Sequence, residues 1–265
     1  MKIKIIIKIA LCIFTCMALW SSCSSSDGGG GSDGGGGGES SGQGGSMARF
    51  SIKEDVLYIV DNQTLKMFDV TVASQPNYMP TKDQKLDIGI ETIFIMDTLL
   101  FIGSETGMFI YDITRPEFPQ KLSWTGHIRS CDPVVATGNY AYLTLNTEAT
   151  RCTRGINELQ VYDISNPSSP YLIKTLEMYS PKGLGVDGNK LFVCERGLKI
   201  YDISNPASPI WIDDLSKVPE ANNIDAYDVI PRNGILMLIG KDGLYQFDYT
   251  EDRIKFLSKI EVSHE

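Results

Sequence analysis

The fold is decided by two nearly identical stretches, LQVYDISNP at residues 159–167 and LKIYDISNP at residues 198–206. Each has apolar residues at alternate positions, then an aromatic residue, an aspartate and a proline four residues after the aspartate. Alternation of this kind is typical of a half-buried β-strand, and proline ends such a strand because it has no N–H to donate. The two stretches predict a strand that recurs along the chain.

The same five-residue core, apolar-x-apolar-aromatic-Asp, occurs in three further places. They are Leu65–Asp69, Met108–Asp112 and Leu244–Asp248, the last with Gln246 at the third position. The spacings between the five aspartates are 43, 51, 39 and 46 residues. A fixed period in this range is the sequence signature of a repeat architecture.

Each unit contains four predicted strands. The second unit shows them most clearly, in the segments Thr92–Ile95, Leu99–Ile102, Met108–Ile113 and Gln120–Trp124. Four short strands in one repeat are typical of a β-propeller blade. We therefore predict an all-β fold, a five-bladed β-propeller of four-stranded antiparallel blades.

The first and last units are both complete. A first strand begins at residues 49–52, and a last outer strand is predicted at residues 260–262. No strand is left over to complete a blade from the other terminus, so we expect closure to rest on packing between the first and last blades. In each blade we expect the motif aspartate to accept hydrogen bonds in a turn, and the aromatic residue before it to pack between blades.

The five-fold motif resembles the LVIVD family, which is named for this strand and occurs in secreted and lipid-anchored bacterial proteins. The resemblance covers residues 47–265. It implies a β-propeller fold, and it implies little about activity.

The N-terminus reads as an export signal over residues 1–22. Lys2, Lys4 and Lys8 precede an almost wholly apolar run over residues 5–20, and small residues lead to Cys23. Cys23 after small residues resembles a bacterial lipobox, which implies lipidation of Cys23. The alternative is an ordinary signal peptide with an incidental cysteine.

Residues 23–46 form a predicted lipid-anchored, disordered tether. After Cys23 the segment reads SSSDGGGGSDGGGGGESSGQGGS, which has nothing to bury. Its span is roughly 25–30 Å for a flexible Gly/Ser chain. The segment resembles the export tag of surface-exposed lipoproteins in the Bacteroidetes, which implies an outer-membrane lipoprotein exposed on the cell surface.

Composition and charge argue against a nucleic-acid-binding protein and against a His-rich metal site. The 265 residues carry a formal charge of −9, and removal of the signal leaves 21 basic against 33 acidic residues, a charge of −12. Nucleic acid is therefore not an expected partner, and the lipid anchor rather than surface charge would hold the domain to a membrane. Two histidines are too few for a His-rich metal site.

The cysteines predict one disulfide. Cys131 precedes the first strand of the third blade and Cys152 lies in the long loop after its second strand, on the same predicted face. We predict a bond between these two in an oxidising compartment. The alternative pairs Cys131 with Cys194, whose default interpretation is a small buried apolar residue.

Polar residues collect where the inner strands begin, at the predicted mouth of the central channel. They form our candidate ligand-binding set: Arg49, Glu91, His127, Arg129, Asp132, Lys182, Asp225, Tyr227 and Asp228. Convergent polar groups are the default site hypothesis. The alternative is a wet channel whose polar lining binds water.

The preferred function is a cell-envelope binding module without catalysis, with a glycan or another protein as ligand. No catalytic motif is present, so no catalytic residue is assigned. The alternative is an extracellular enzyme acting on a glycan or other polymer, with His127 or Tyr227 as acid or base and Arg129 and Lys182 holding an anionic substrate.

A carboxylate pair belongs to the same alternative. The pair would consist of Glu91 with Asp132 or Asp228. It would act as general acid and base or bind Ca²⁺. No other cofactor or metal is predicted. A third hypothesis is a structural scaffold.

Overall fold

A computed structural model describes residues 44–61, 63–86, 89–127, 133–147, 156–221, 223–251 and 253–262. Contacts divide the chain into Met1–Gly38 and Glu39–Glu265, and all described residues belong to the second unit. The predicted signal, Cys23 and most of the tether lie outside the described residues. None of the helices in the described ranges has the length and apolarity needed to cross a membrane.

The described chain forms five sheets, one for each sequence unit. Blade 1 consists of β1 Phe50–Lys53, β2 Val56–Asp61, β3 Thr64–Asp69, β4 Asn77–Tyr78 and β5 Gln84–Lys85. Blade 2 consists of β6 Ile90–Met96, β7 Leu99–Ser104, β8 Gly107–Asp112 and β9 Gln120–Gly126. Blade 3 consists of β10 Val134–Thr137, β11 Tyr140–Leu145, β12 Glu158–Asp163 and β13 Tyr171–Glu177.

The last two blades follow the same order. Blade 4 consists of β14 Leu184–Asp187, β15 Lys190–Val193, β16 Lys199–Asp202 and β17 Ile210–Asp214. Blade 5 consists of β18 Ala226–Arg232, β19 Ile235–Gly240, β20 Gly243–Asp248 and β21 Lys255–Glu261. Three short 3₁₀ helices are also described, Pro80–Lys82, Leu215–Lys217 and Pro219–Ala221.

Every blade is built from strands that are consecutive in sequence and pair antiparallel. The predicted fold class is confirmed, and the four strands expected in the second unit are β6 to β9, with β6, β7 and β9 longer than predicted and β8 shifted by one residue. Blade 1 differs because its outer edge is split, with β4 and β5 both pairing with β3.

The motif aspartates end the third strands and hold the following turn, as predicted. In blade 2, Asp112 Oδ1 accepts the N–H of Thr114 at 2.7 Å and its hydroxyl at 2.6 Å. The same pair of bonds recurs in the other four blades, from Thr71 to Asp69, Ser165 to Asp163, Ser204 to Asp202 and Thr250 to Asp248. Five equivalent turns therefore carry a structural role.

The core lies between the blades. Buried apolar clusters join blade 1 to blade 2, blades 2, 3 and 4 to one another, and blade 4 to blade 5. The motif aromatics Tyr111, Tyr162, Tyr201 and Phe247 are all buried there, which confirms the predicted packing between blades. Phe68 of blade 1 is the exception, because its side chain is only half-buried.

Phe68 lies on a sheet face that none of the other described blades covers. We define the first-blade face by Ile52, Leu57, Ile59 and Phe68, which lie opposite one another across β1, β2 and β3. All four are half-buried, whereas Leu100, Ile102 and Tyr111, at the same positions in blade 2, are buried.

Blade 5 has the matching uncovered face. We define the last-blade face by Ile230, Met237, Ile239 and Leu244, on β18, β19 and β20. Ile239 is 40% exposed and the other three are half-buried. Within the described ranges, no buried apolar cluster contains residues of both blade 1 and blade 5. The expectation that closure rests on packing between these two blades is therefore wrong.

A short segment before β1 links these ends instead. We call Gly44–Ala48 the axial segment. The N–H of Met47 donates to Asp228 on β18, and Ile93 on β6 donates to the carbonyl of Ala48 at 2.9 Å. Gly45 and Ser46 are buried. The predicted boundary between tether and propeller, at residues 46 and 47, thus falls inside this packed segment.

Candidate functional site

Those candidate residues that the structure describes lie on what we call the upper face, the end of the blades where the inner strands begin and the second and third strands join. In blade 2, the backbone N–H of Glu105 donates to the carbonyl of Gly89 at 2.9 Å and so ties the two loops of this face together. In blade 4, the backbone N–H of Lys182 donates to the carbonyl of Cys194 at 2.8 Å in the same way. Each blade thus contributes two adjoining loops to the upper face.

The axial segment passes through the centre of the propeller beside this face. Asp228, at the start of β18, points towards it and is 6% exposed. Asp228 Oδ1 accepts the Ser46 hydroxyl at 2.9 Å, and Oδ2 accepts the N–H of Met47 at 3.2 Å. Ser46 Oγ in turn accepts the N–H of Leu184 from blade 4 at 2.8 Å. Asp228 is therefore engaged in holding the chain together.

Two glycines pack closely against the Asp228 carboxylate. A Cβ on Gly45 would lie 2.0 Å from Asp228 Oδ2, and one on Gly183 would lie 2.3 Å from Oδ1. Burial raises the pKa of Asp228, and its hydrogen bonds from Ser46, Met47 and Val229 oppose that rise. We interpret Asp228 as a structural group under the upper face rather than as a ligand contact.

The other end of the channel is an open cavity of about 330 Å³. It lies at the turns between first and second strands, on the side away from the upper face. Its lining is contributed by the axial segment and by the inner strands of blades 1 to 4. The polar and small residues among the lining are Gly44, Ser51, Asp97, Thr137, Asp187 and Gly188. The axial segment thus fills the channel near the upper face, and the other end is open.

Three predicted residues come together on blades 4 and 5. Lys182 Nζ lies 2.5 Å from Asp225 Oδ1, and it also sits 4.6 Å from the ring centroid of Tyr227. Tyr227 is the extra residue of a β-bulge between Ala226 and Asp228, and its side chain is 37% exposed. Bulges re-aim side chains, which explains why Tyr227 faces solvent while Asp228 faces the axis.

A second aromatic–cation pair adjoins them. The guanidinium of Arg196 lies 3.6 Å from the ring centroid of Tyr179, whose side chain is 57% exposed. Arg196 has φ of +46°, so the loop turns sharply and carries its side chain over the ring. We call Tyr179, Lys182, Arg196, Asp225 and Tyr227 the aromatic–cation patch.

A buried carboxylate supports this patch. Glu195 is 3% exposed, and its Oε1 accepts the N–H of Tyr179 at 2.6 Å. Its Oε2 lies 2.7 Å from Lys199 Nζ. A cavity of about 290 Å³ next to it is lined by Glu195, Arg196 and Lys199 together with Asp214 and Ser216. Glu195 therefore fixes the loop that presents Tyr179.

The remaining predicted residues lie outside the aromatic–cation patch or outside the described residues. Arg49 is exposed just before β1, Glu91 is half-buried on a β-bulge of β6, and His127 is half-buried at the end of β9. The structure does not gather these three into the patch. Arg129 and Asp132 lie outside the described residues, as do both partners of the predicted disulfide, Cys131 and Cys152. Cys194 is buried with a free thiol, and burial raises its pKa.

Sequence reasoning missed Tyr179 and Arg196. His127 lies in the loop before the inner strand of blade 3, and the same loop of blade 4 contains Tyr179. The aromatic residue in that loop could have indicated Tyr179 as a candidate. The sequence does not indicate Arg196, because its contact with Tyr179 depends on the conformation of the turn.

No metal site is evident in the part of the chain that the structure describes, where no group of three or more His, Cys, Asp or Glu side chains lies close enough to hold an ion. Of the carboxylates named for Ca²⁺, Asp228 is occupied by Ser46 and Met47, Glu91 lies on β6, and Asp132 is not described.

Comparisons with known proteins agree with the repeat and the fold. The LVIVD repeat family matches residues 153–177 and 182–214, in blades 3 and 4. The chain therefore contains LVIVD repeats, and the same motif recurs in its other three blades. No curated protein matches the sequence.

Solved structures share the propeller fold. A functionally unknown protein from Desulfotomaculum acetoxidans superposes with a TM-score of 0.64 at 11% identity, covering 81% of this chain and 69% of that one. Apo AztD from Citrobacter koseri gives 0.58 at 13% identity, covering 79% and 60%. BamB from Moraxella catarrhalis gives 0.51 at 9% identity, covering 79% and 59%.

At these identities the likeness shows the fold alone. The chain spans 59% of the BamB chain and 60% of the AztD chain, less than two thirds of either.

Proposed function

We propose that this protein is a lipid-anchored binding module of the bacterial cell envelope, which presents the aromatic–cation patch to a glycan or to a protein partner without catalysing a reaction. The observation that carries the proposal is the pairing of two exposed tyrosines with cations on one face of blades 4 and 5. The anchor at Cys23 and the surface location rest on the sequence resemblance given above.

The chemistry of the patch suits a sugar ligand. A sugar ring has an apolar C–H face and a rim of hydroxyl groups. An exposed tyrosine ring covers apolar surface and also carries a hydroxyl, so it suits contacts that are partly apolar and partly wet. Asp225 accepts hydrogen bonds, whereas Lys182 and Arg196 donate them. The two cations also favour an acidic polysaccharide.

The patch is held in place before any ligand arrives. The backbone of Lys182 donates to Cys194, Gly183 donates to the carbonyl of Tyr227 at 2.9 Å, and Lys241 donates to the carbonyl of Asp225 at 3.0 Å. A preorganised surface loses less conformational entropy on binding. This rigidity suits recognition by a binding module.

The experiment is a thermal-shift screen of residues 24–265, which contain the compact unit Glu39–Glu265, against neutral and acidic polysaccharides and their fragments. A ligand at 100 times its Kd adds about 2.7 kcal/mol of stability, so binding raises the Tm. We expect Tyr179→Ala and Tyr227→Ala to weaken a hit by about tenfold each, equivalent to about 1.4 kcal/mol.

Tyr171→Ala is the matched control, because Tyr171 is also 57% exposed but lies on the outer strand of blade 3. Equal loss of binding in the control would contradict the assignment of the patch. If no polysaccharide shifts the Tm, the glycan proposal fails, and cross-linking on whole cells would then test for a protein partner with the same three variants.

A further inference from the structure

The first-blade and last-blade faces are apolar surfaces of a kind that the rest of the propeller buries. Met237 on the last-blade face is half-buried, whereas Phe101, Tyr142 and Phe192, at the same position in blades 2, 3 and 4, are fully buried. The exposed ring of Tyr78, opposite Phe68, extends the first-blade face. Contiguous exposed apolar surface marks an interaction site in a soluble domain.

The two faces are the unmatched halves of an interface that the chain already forms four times. Within the chain, one side of each blade packs against the opposite side of the next, as Phe101 and Met108 of blade 2 pack with Ala141 and Leu143 of blade 3. Blade 5 is left with the side that normally meets a following blade, and blade 1 is left with the side that normally meets a preceding one. Each face is therefore complementary to the other and not to itself.

The axial segment packs against the inner edge of blade 5 and continues directly into β1 of blade 1. Gly45 lies against the inner edge of the last-blade face, where a Cβ would be 3.2 Å from Ile230 Cγ1 and 2.0 Å from Asp228 Oδ2. At that edge, the hydroxyl of Ser46 and the N–H of Met47 donate hydrogen bonds to the Asp228 carboxylate. The inner edge of blade 5 is thus occupied by the axial segment, and the face beyond it is left uncovered.

We propose that a second copy of this chain covers these faces, the last blade of one copy packing against the first blade of the other. The contact is head-to-tail, and two copies satisfy both faces when each contributes its first and its last blade. The proposal is independent of the binding function assigned to the upper face.

Polar groups on the two faces are compatible with burial. On the first-blade side, Lys66 Nζ lies 2.6 Å from Asp61 Oδ2. On the last-blade side, the Ser258 hydroxyl donates to Gln246 Oε1 at 2.8 Å. These polar groups already have hydrogen-bonding partners within their own chain. Burying them in a contact between two copies therefore leaves few polar groups without a partner.

The test measures the mass of residues 24–265 by size-exclusion chromatography with light scattering across a dilution series. We expect the wild type to show the mass of two or more chains at high concentration. Leu57→Asp blocks the first-blade face and Met237→Asp blocks the last-blade face, so each variant alone is expected to have the mass of one chain. A mixture of the two retains one good pair of faces and is expected to give a one-to-one dimer.

Ile212→Asp is the matched control, because Ile212 is an exposed apolar residue on the outer strand of blade 4 and should leave the mass unchanged. Circular dichroism checks that each variant is folded, and Ile59→Asp and Ile239→Asp replace any variant that is not. A wild type with the mass of one chain at every concentration overturns the proposal. That outcome would include a single chain whose first and last blades pack against each other. Single variants that still associate, or a mixture that does not, also overturn it.

Discussion

Ser46 connects three parts of the propeller through one hydroxyl. It donates to Asp228 on the inner strand of blade 5 and accepts from Leu184 on the inner strand of blade 4, while its own backbone belongs to the axial segment. In the sequence this serine ends a Gly/Ser-rich tract and looks like part of a tether. Its role depends on a partner 182 residues away, which no local pattern reveals.

Replacing Ser46 with alanine tests this connection. We expect Ser46→Ala to lower the free energy of unfolding by about 1–3 kcal/mol, because it leaves the buried Leu184 N–H without its acceptor and Asp228 without one donor. Urea unfolding measures the change, with Ser168→Ala in an exposed turn as control. A loss no greater than in the control would mean that the axial segment does not stabilise the propeller.

Strands were the elements most easily predicted. Period-two patterning located β6 to β9 to within two residues at each end, and the motif aspartates marked the ends of the third strands. The bulges at Glu91 and Tyr227 were not predicted, because a bulge is defined by the register of the neighbouring strand. Tyr227 and Asp228, adjacent in sequence, were expected in one site and proved to face opposite ways, as successive side chains of a strand do.

The five aspartate turns predict how stability changes with pH. Hydrogen bonds from the hydroxyl and N–H two residues later lower the pKa of Asp69, Asp112, Asp163, Asp202 and Asp248. A lowered folded-state pKa gives stability that is present above the unfolded value, about 3.9, and lost as the pH falls through the folded value. Asp228 acts in the opposite direction, because its pKa is raised.

We expect the urea midpoint to fall as the pH is lowered from about 5 to below 3.9, since the five turns outnumber Asp228. Carbon-13 NMR of the carboxyl groups measures the individual titrations. Asp163→Asn removes one titrating turn and should make the midpoint less sensitive to acid. An unchanged acid sensitivity in that variant would show that the turns do not set the pH dependence.

The number of blades could be predicted from the whole chain, because five copies of one motif fix five sheets. The uncovered ends could not, since equivalent repeats suggest equivalent surroundings. One residue did carry a signal. Gln246 takes the third motif position, where blades 2, 3 and 4 have Ile110, Val161 and Ile200. That position faces the next blade in blades 1 to 4, and in blade 5 the glutamine lies beside Met237 on the last-blade face.

Uneven coverage predicts uneven local stability. In dilute solution we expect amides of β7, β8, β11, β12, β15 and β16 to exchange slowest, because blades 2, 3 and 4 are covered on both faces. Amides of β2, β3, β19 and β20 should exchange faster, because local opening there exposes less additional apolar surface. Hydrogen exchange followed by mass spectrometry measures the difference. Equal protection in all five blades would mean that the end faces are covered even in a single chain.

The axial segment also determines where a mechanical load enters the domain. A pull on the chain before Gly44 reaches the propeller at its centre rather than at its rim. It is transmitted first through Ser46 and Met47 to Asp228, and through Ala48 to Ile93. The force is thus shared between blades 5 and 2 before β1 is strained. A domain held by its N-terminus in moving fluid would resist peeling at its first strand.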